Sequence, residues 1–284
     1  MRELGQDTTP FQNAMQGDYE FSLGQVFRQG WGLFIRKFPS FVGFTVLFFL
    51  SSMFVVFLVA IGMAFTTQLV FFNWLFVILG YLLILGFVYS FAGGMFLACD
   101  KLVNEGEAEF ADFFKGLRAI ISVGAAKLIQ LLLVVVPLMI VLIATGWLEN
   151  LMPRTDPSEF ATLEELQAYS QQLRPLSLAA SVPQILVFTI YLFTTPLILL
   201  GRLQFWTAME TSRKIVVKKF PAMLALTLSM AALLTLGSML AVIGLLFTIP
   251  LIYTITYAAY ASVSGQGQDN LLDKIDSIGK NSDQ

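Results

Sequence analysis

Residues 221–263 run for 43 positions without one charged side chain. As a single α-helix this stretch would measure about 64 Å at 1.5 Å per residue, roughly twice the ~30 Å hydrocarbon core of a bilayer. Such a run must either be buried in a large protein core or fold back on itself in lipid. Composition decides between the two. Of the 284 residues 57% are apolar and 13% charged, whereas soluble domains are about a quarter charged, so the polar surface is too small to cover a water-exposed globule. The solvent is lipid, and 221–263 is read as two spans, about 221–242 and 245–263. The turn is expected at Gly244, with Pro250 close behind, because both residues interrupt helices at low cost near an end.

Four other apolar stretches are long enough to cross a bilayer: 39–65, 71–98, 119–146 and 181–203. The expected fold is an all-α integral membrane protein, a bundle of six transmembrane helices, or five if 221–263 crosses once. The domain spans 21–264, between a polar N-terminal tail (1–20) and a polar C-terminal tail (265–284), with one sizeable loop at 147–180. Met1–Glu20 lacks the basic start and apolar core of a cleavable signal, so the first span is expected to serve as its own insertion signal.

Lysine and arginine set the orientation. Arg2, Arg28, Arg36, Lys37, Lys101, Lys115, Arg118, Arg202, Arg213, Lys214, Lys218 and Lys219 fall on one side. Arg154 and Arg174 fall on the other, beside five acids in 147–180. Both termini are therefore expected in the cytoplasm.

The stretch "RKFPSFVGFT" from Arg36 has a near copy, "KKFPAMLALT", from Lys218. Arg36, Lys37, Lys218 and Lys219 are read as anchors that stay with lipid phosphates while Pro39 and Pro221 open the helices. The likeness continues through Thr45 and Thr227, Ile61-Gly62 and Ile243-Gly244, and "LFTTPLI" (192–198) against "LFTIPLI" (246–252). Before span one, Ser22 and Gln25 have capping-box spacing, and Phe27, Trp31, Phe34, Ile35 and Phe38 share a helical face. Phe110, Phe113, Phe114 and Leu117 do likewise before span three, as do Ile215, Val216 and Phe220 before span five. The pattern predicts three helix hairpins, each preceded by a cytoplasmic amphipathic helix in the interface. In the loop 147–180, Thr162 and Glu165 have capping-box spacing and Leu163, Leu166, Tyr169 and Leu173 give an apolar side, so a short surface helix is expected there.

Charges inside spans are the best functional pointers, because they are costly to keep there. Lys127 lies about 10 Å into span three, with Gly124 and Gln130 on its helical face. It contacts an anion or lipid headgroup in a cavity, or else its stem snorkels back to the interface. Glu210, Lys214, Arg202 and Arg213 could hold a lipid phosphate or simply brace the helix after span four. Gly86, Ser90, Gly94 and Ala98 are four small residues on one face of span two, suited to close helix packing or to the wall of a pore. Pro137, Pro196 and Pro250 interrupt helices, and Thr189, Thr194 and Thr195 can satisfy the carbonyls thus freed.

The absences argue against common enzymes. The chain has no histidine and one cysteine, Cys99, which removes the usual general base, metal ligand and pH switch, and any disulfide framework or cysteine metal cluster. No acid lies well inside a span, and no Gly-rich phosphate loop is present. No catalytic residue, metal site or cofactor is assigned, and a net charge of −2 gives no reason to expect nucleic acid.

The segments "FADFFKGLR", "LFTTPLILLGRLQFWTAMETSRKIVVKKFP" and "IGLLFTIPLIYTITYAAYAS" resemble a loose group of bacterial multi-pass membrane proteins of unknown function. More distantly, they resemble the membrane domain fused to some glycerophosphodiester phosphodiesterases. The resemblance covers about 105–264 and implies some six helices in a bacterial inner membrane, with no activity to transfer, since no phosphodiesterase domain is present. Three expectations follow. The first is a non-catalytic membrane subunit or scaffold with a protein partner or a second copy. The second is a carrier or binding protein for a lipid or hydrophobic solute, with Lys127 at its site. The third is a lipid-modifying enzyme built on Glu210 and Arg213.

Overall fold

The computed structural model describes residues 8–66, 70–144, 162–265, 271 and 273–274, with backbone only for 63–66, 70–75 and much of 163–180. The described residues are helical and contain no strand. Among the described residues the α-helices are α1 Gln12–Gln16, α2 Leu23–Arg36, α3 Phe38–Thr66, α4 Val70–Glu105, α5 Ile120–Ala144, α6 Leu163–Ile190, α7 Thr194–Leu199, α8 Phe205–Lys218, α9 Phe220–Met239 and α10 Ala241–Val263. A 3-10 helix, Phe110–Ala119, joins α4 to α5. Six segments are long and apolar enough to cross a membrane: Phe38–Gly62, Phe76–Glu105, Phe110–Ala144, Ser181–Leu199, Phe220–Met239 and Ala241–Val263. The protein is a six-span, all-α membrane protein.

The charge-free run does fold back, but at Leu240–Ala241 rather than at Gly244. Leu240 N–H donates to Gly237 O (3.0 Å), and Ala241 takes the left-handed conformation (φ 54°). Gly244 instead serves the packing of the hairpin: a Cβ there would lie 2.1 Å from Gly237 O. Glycine lets the two helix backbones meet at once after the turn, and alanine tolerates the turn itself at some cost.

Span four is broken. The helix reaching it from the 147–180 side is continuous from Leu163 to Ile190, and Tyr191–Phe193 form a turn before α7. Pro196 accounts for the break, since its ring would clash with the carbonyl four residues back and it has no N–H to donate. Ser212 of α8 repairs it: its Oγ donates to Ile190 O (2.9 Å) and accepts from Phe193 N–H (3.2 Å). The segment 145–161 and the side chains of Glu165, Leu163, Leu166, Tyr169 and Leu173, on which the surface-helix reading rests, lie outside the described residues.

Short helices do precede spans one, three and five, with two differences from expectation. α2 buries Val26, Gln29, Gly30, Leu33 and Phe34, while Trp31 and Ile35 are 53% and 50% exposed. Gly30 explains the choice of face: a Cβ there would sit 2.6 Å from the Ile255 Cα, so α2 lies directly on the backbone of α10. Ser22 is the N-cap of α2 but makes no capping hydrogen bond. The second difference is the 3-10 helix, which does not float in the interface. Gly94 and Gly116 bring it onto α4, where a Cβ at Gly94 would meet Phe113 O at 1.6 Å. Phe113 then stacks on Phe44 (4.6 Å between centroids).

The tail 1–20 is also structured from Thr9 onward. Phe11 is 4% exposed and packs on Tyr260 (6.3 Å). Gly17, at φ 94°, ends α1 as a left-handed cap. In the C-terminal tail, Leu271 is buried in the same core and Lys274 donates to Asn104 Oδ1 (2.8 Å).

Candidate ligand-binding site

Two chambers meet at Lys127. The first, about 370 Å³, is a half-open cleft between the helices and draws wall residues from every span: Phe48 (α3), Val88, Tyr89 and Phe96 (α4), Lys127 (α5), Phe188 (α6), Thr195 (α7), Leu234 (α9), and Ile249, Ile252, Tyr253 and Thr256 (α10). The second, about 330 Å³, lies between α4, α5 and α6 and is more polar, with Tyr81, Tyr89, Lys127, Gln130 and Gln184 among its walls. Tyr89, Lys127 and Phe188 belong to both.

Local sequence explains the space. Gly86 and Gly124 bring α4 and α5 into backbone contact, a Cβ at Gly124 lying 3.1 Å from the Gly86 Cα. Beyond that contact the facing residues enlarge to Tyr81 and Leu85 on α4 and Leu131 and Val134 on α5. Pro137, inside α5, removes one backbone hydrogen bond a little further along. The helices are held close at one level and spaced by side chains at the next.

Lys127 Nζ donates to Gln130 Oε1 (3.0 Å) and stands over the Tyr89 ring, 4.8 Å from its centroid. Gln130 is 8% exposed, and its Nε2 has no hydrogen-bond partner. No aspartate or glutamate lines either chamber among the described residues. The junction therefore presents one ammonium and one free amide N–H pair, with the Gln130 amide oxygen and the Tyr89 ring face, but no carboxylate, beside the ammonium.

The other residues singled out in the sequence have different surroundings. Arg213 grips Glu210 through two bonds, Nε to Oε2 (2.8 Å) and Nη2 to Oε1 (2.7 Å), and Lys214 stands 3.5 Å from Oε1. Those bonds hold the Glu210 carboxyl below its usual range. Arg202, exposed at φ 52° in the turn after α7, makes no ion pair with Glu210. The small-residue stripe lies under the 3-10 helix and the start of α5. Gly86 abuts Ile120 and Gly124, Ser90 O faces Gly116, Gly94 sits beneath Phe113, and Ala98 is buried.

Of the four basic anchors, Arg36 and Lys218 are exposed and Lys37 is half-buried. Lys219 turns inward: its ammonium bonds Tyr19 O and lies over the Tyr19 ring (4.4 Å). Tyr19 OH in turn donates to Ile215 O (3.2 Å), and burial pushes that phenol up to about 12. This anchor ties down the N-terminal segment rather than a lipid phosphate.

Sequence reasoning missed Tyr89, Tyr81, Gln184 and Phe188. Tyr81, Leu85 and Tyr89 recur at four-residue spacing on α4, which places them on one face. That pattern was a usable signal beside the small-residue stripe. Asp112 was also missed. It is 2% exposed, accepts from the Glu109 N–H (2.9 Å), and is flanked by Lys101 Nζ (3.0 Å) and Lys115 Nζ (2.5 Å).

Comparison with protein families, with characterised proteins and with solved structures finds no match to this chain. The site's chemistry must be read from its own residues.

Proposed function

We propose that this membrane protein binds, and carries within its bundle, a lipid or hydrophobic solute, and that it is not a catalyst. The observation that carries this reading is the apolar chamber walled by all six spans, with Lys127 at its edge. A subunit that serves only as a scaffold needs no such chamber. The enzyme reading loses support because both Glu210 oxygens are engaged by Arg213.

The proposal includes both termini in the cytoplasm of a bacterial inner membrane. The lysine and arginine asymmetry supports the orientation, and the family resemblance supports the compartment. It also includes descent of the hairpins from one repeated unit. In support, α2 and α8 each have 14 residues, and Lys37 and Lys219 share backbone angles (φ −126°, ψ 35° and φ −127°, ψ 42°). Thr45 and Thr227 then bond the carbonyl four residues back (2.8 and 3.0 Å).

The test is native mass spectrometry of the chain extracted gently from its membrane. One defined lipid or apolar solute should be retained at a one-to-one ratio and lost from Leu234→Trp, which fills the chamber. A stoichiometric protein partner on a chain without bound ligand would return the scaffold reading to first place.

A further inference from the structure

We infer that the ligand of this site is a single-chain amphiphile whose headgroup bears one negative charge shared by two terminal oxygens, as in a fatty carboxylate. The inference rests on the binding reading above and adds the chemical class.

The headgroup follows from the donors. Lys127 has three N–H groups and gives one to Gln130 Oε1. Gln130 Nε2, on a side chain more than nine-tenths buried, gives neither of its two. Both residues line the side chamber and lie three apart on one helix, so their donors are neighbours. An unpartnered buried amide N–H is costly to keep, and so is a lysine in a span. Two oxygens of one anion meet both needs, one on each residue, and form charge-assisted hydrogen bonds. An alcohol leaves the ammonium uncompensated, and an amine repels it.

The tail follows from the first chamber. Beside Lys127 it is walled chiefly by Phe48, Val88, Phe96, Leu234, Ile249 and Ile252. Taking ~30 Å³ per methylene, a water's share of liquid volume, its 370 Å³ holds about a dozen methylenes. That matches one medium-length acyl chain. With the headgroup on Gln130 and Lys127, the chain passes the shared wall of Tyr89 and Phe188.

The experiment uses the purified full-length protein in nanodiscs, with radiolabelled dodecanoate and dodecanol as separate direct ligands. Dodecylamine, dodecyl phosphate and didodecanoyl phosphatidylglycerol serve as competitors. Dodecanoate is expected to bind at least tenfold more tightly than dodecanol, and neither the amine nor the two-chain lipid should displace it. Dodecyl phosphate separates the two sources of a charged oxygen pair: displacement weaker than by dodecanoate itself supports a carboxylate, and stronger displacement overturns it in favour of phosphate. Lys127→Gln is expected to erase the preference for dodecanoate over dodecanol.

Equal binding of dodecanoate and dodecanol by the wild-type chain would overturn the headgroup assignment and leave the binding reading standing. Displacement by the two-chain lipid would overturn the single-chain assignment. Binding of neither labelled ligand would overturn the single-chain amphiphile, and the native mass spectrum would then decide the binding reading. The wild-type series decides the class even if the Lys127 variant does not fold.

Discussion

Asp112 and Lys127 lie fifteen residues apart on one apolar stretch, and the fold treats them in opposite ways. Asp112 is met by two ammoniums and a backbone N–H. Lys127 is met by one amide oxygen and a ring face. Asp100, near the end of α4, is treated like Asp112: Tyr257 OH (3.2 Å) and Asn104 Nδ2 (3.1 Å) both donate to it. This chain supplies partners to the buried Asp112 and the half-buried Asp100 and withholds an anion from the half-buried Lys127. Completed charges of this kind hold helices together, and an uncompleted one in a chamber is where a ligand belongs.

The comparison depends on the 3-10 helix reaching α4, so the largest expected effect comes from blocking that approach. Gly94→Ala puts a methyl group 1.6 Å from Phe113 O, where backbone rather than a flexible side chain must move. The expected result is no monodisperse folded protein on gel filtration. Gly24→Ala on α2, whose Cβ would have nothing within 4 Å, should change stability by less than about 1 kcal/mol. A well-folded Gly94→Ala protein would show that the close approach does not determine the fold.

The next effect separates the two charges directly. Asp112→Ala leaves the Glu109 N–H unbonded and the flanking lysines without their counter-charge, so unfolding in detergent should become easier by about 2–4 kcal/mol. Lys127→Met removes a charge that has no counter-charge and keeps an unbranched side chain of similar length. Its unfolding midpoint should be unchanged or higher. Equal destabilisation by the two substitutions would mean that Lys127 is as structural as Asp112, and the contrast would fail.

The sequence made the six spans and Lys127 legible for the same reason: hydropathy is a property of composition, and a lone charge stands out against it. The close packing of the small-residue stripe was among its readings too, because Gly86, Ser90, Gly94 and Ala98 recur at helical spacing. What faces those residues was not legible. That the 3-10 helix would lie against α4, or α2 against α10, depends on Gly116 and Gly30 meeting partners far along the chain. The chambers were hidden for a related reason, since each is walled by residues from several helices far apart in the sequence. The inward turn of Lys219 was likewise out of reach, because its partner Tyr19 is 200 residues away. Local sequence made Lys37 and Lys219 alike in backbone, and tertiary contact made them different in use.

The smallest effect should come from the third kind of charge, the exposed pair on α8. Glu210 is 41% and Arg213 48% exposed, so their attraction is screened by water and salt, and its net contribution is under about 1 kcal/mol. Hydrogen bonds from Arg213 hold the Glu210 carboxyl below its usual range in the folded protein. The stability it contributes is therefore fully present above the ordinary carboxylate pKa and is lost as pH falls through the lowered one. Glu210→Gln should leave the unfolding midpoint at pH 7 within about 1 kcal/mol of wild type, and the two proteins should converge in acid. Asp112→Ala should stay well below both at neutral pH. If Glu210→Gln costs as much as Asp112→Ala, the pair is shielded by something beyond water, and α8 becomes a contact surface for headgroups or for another chain.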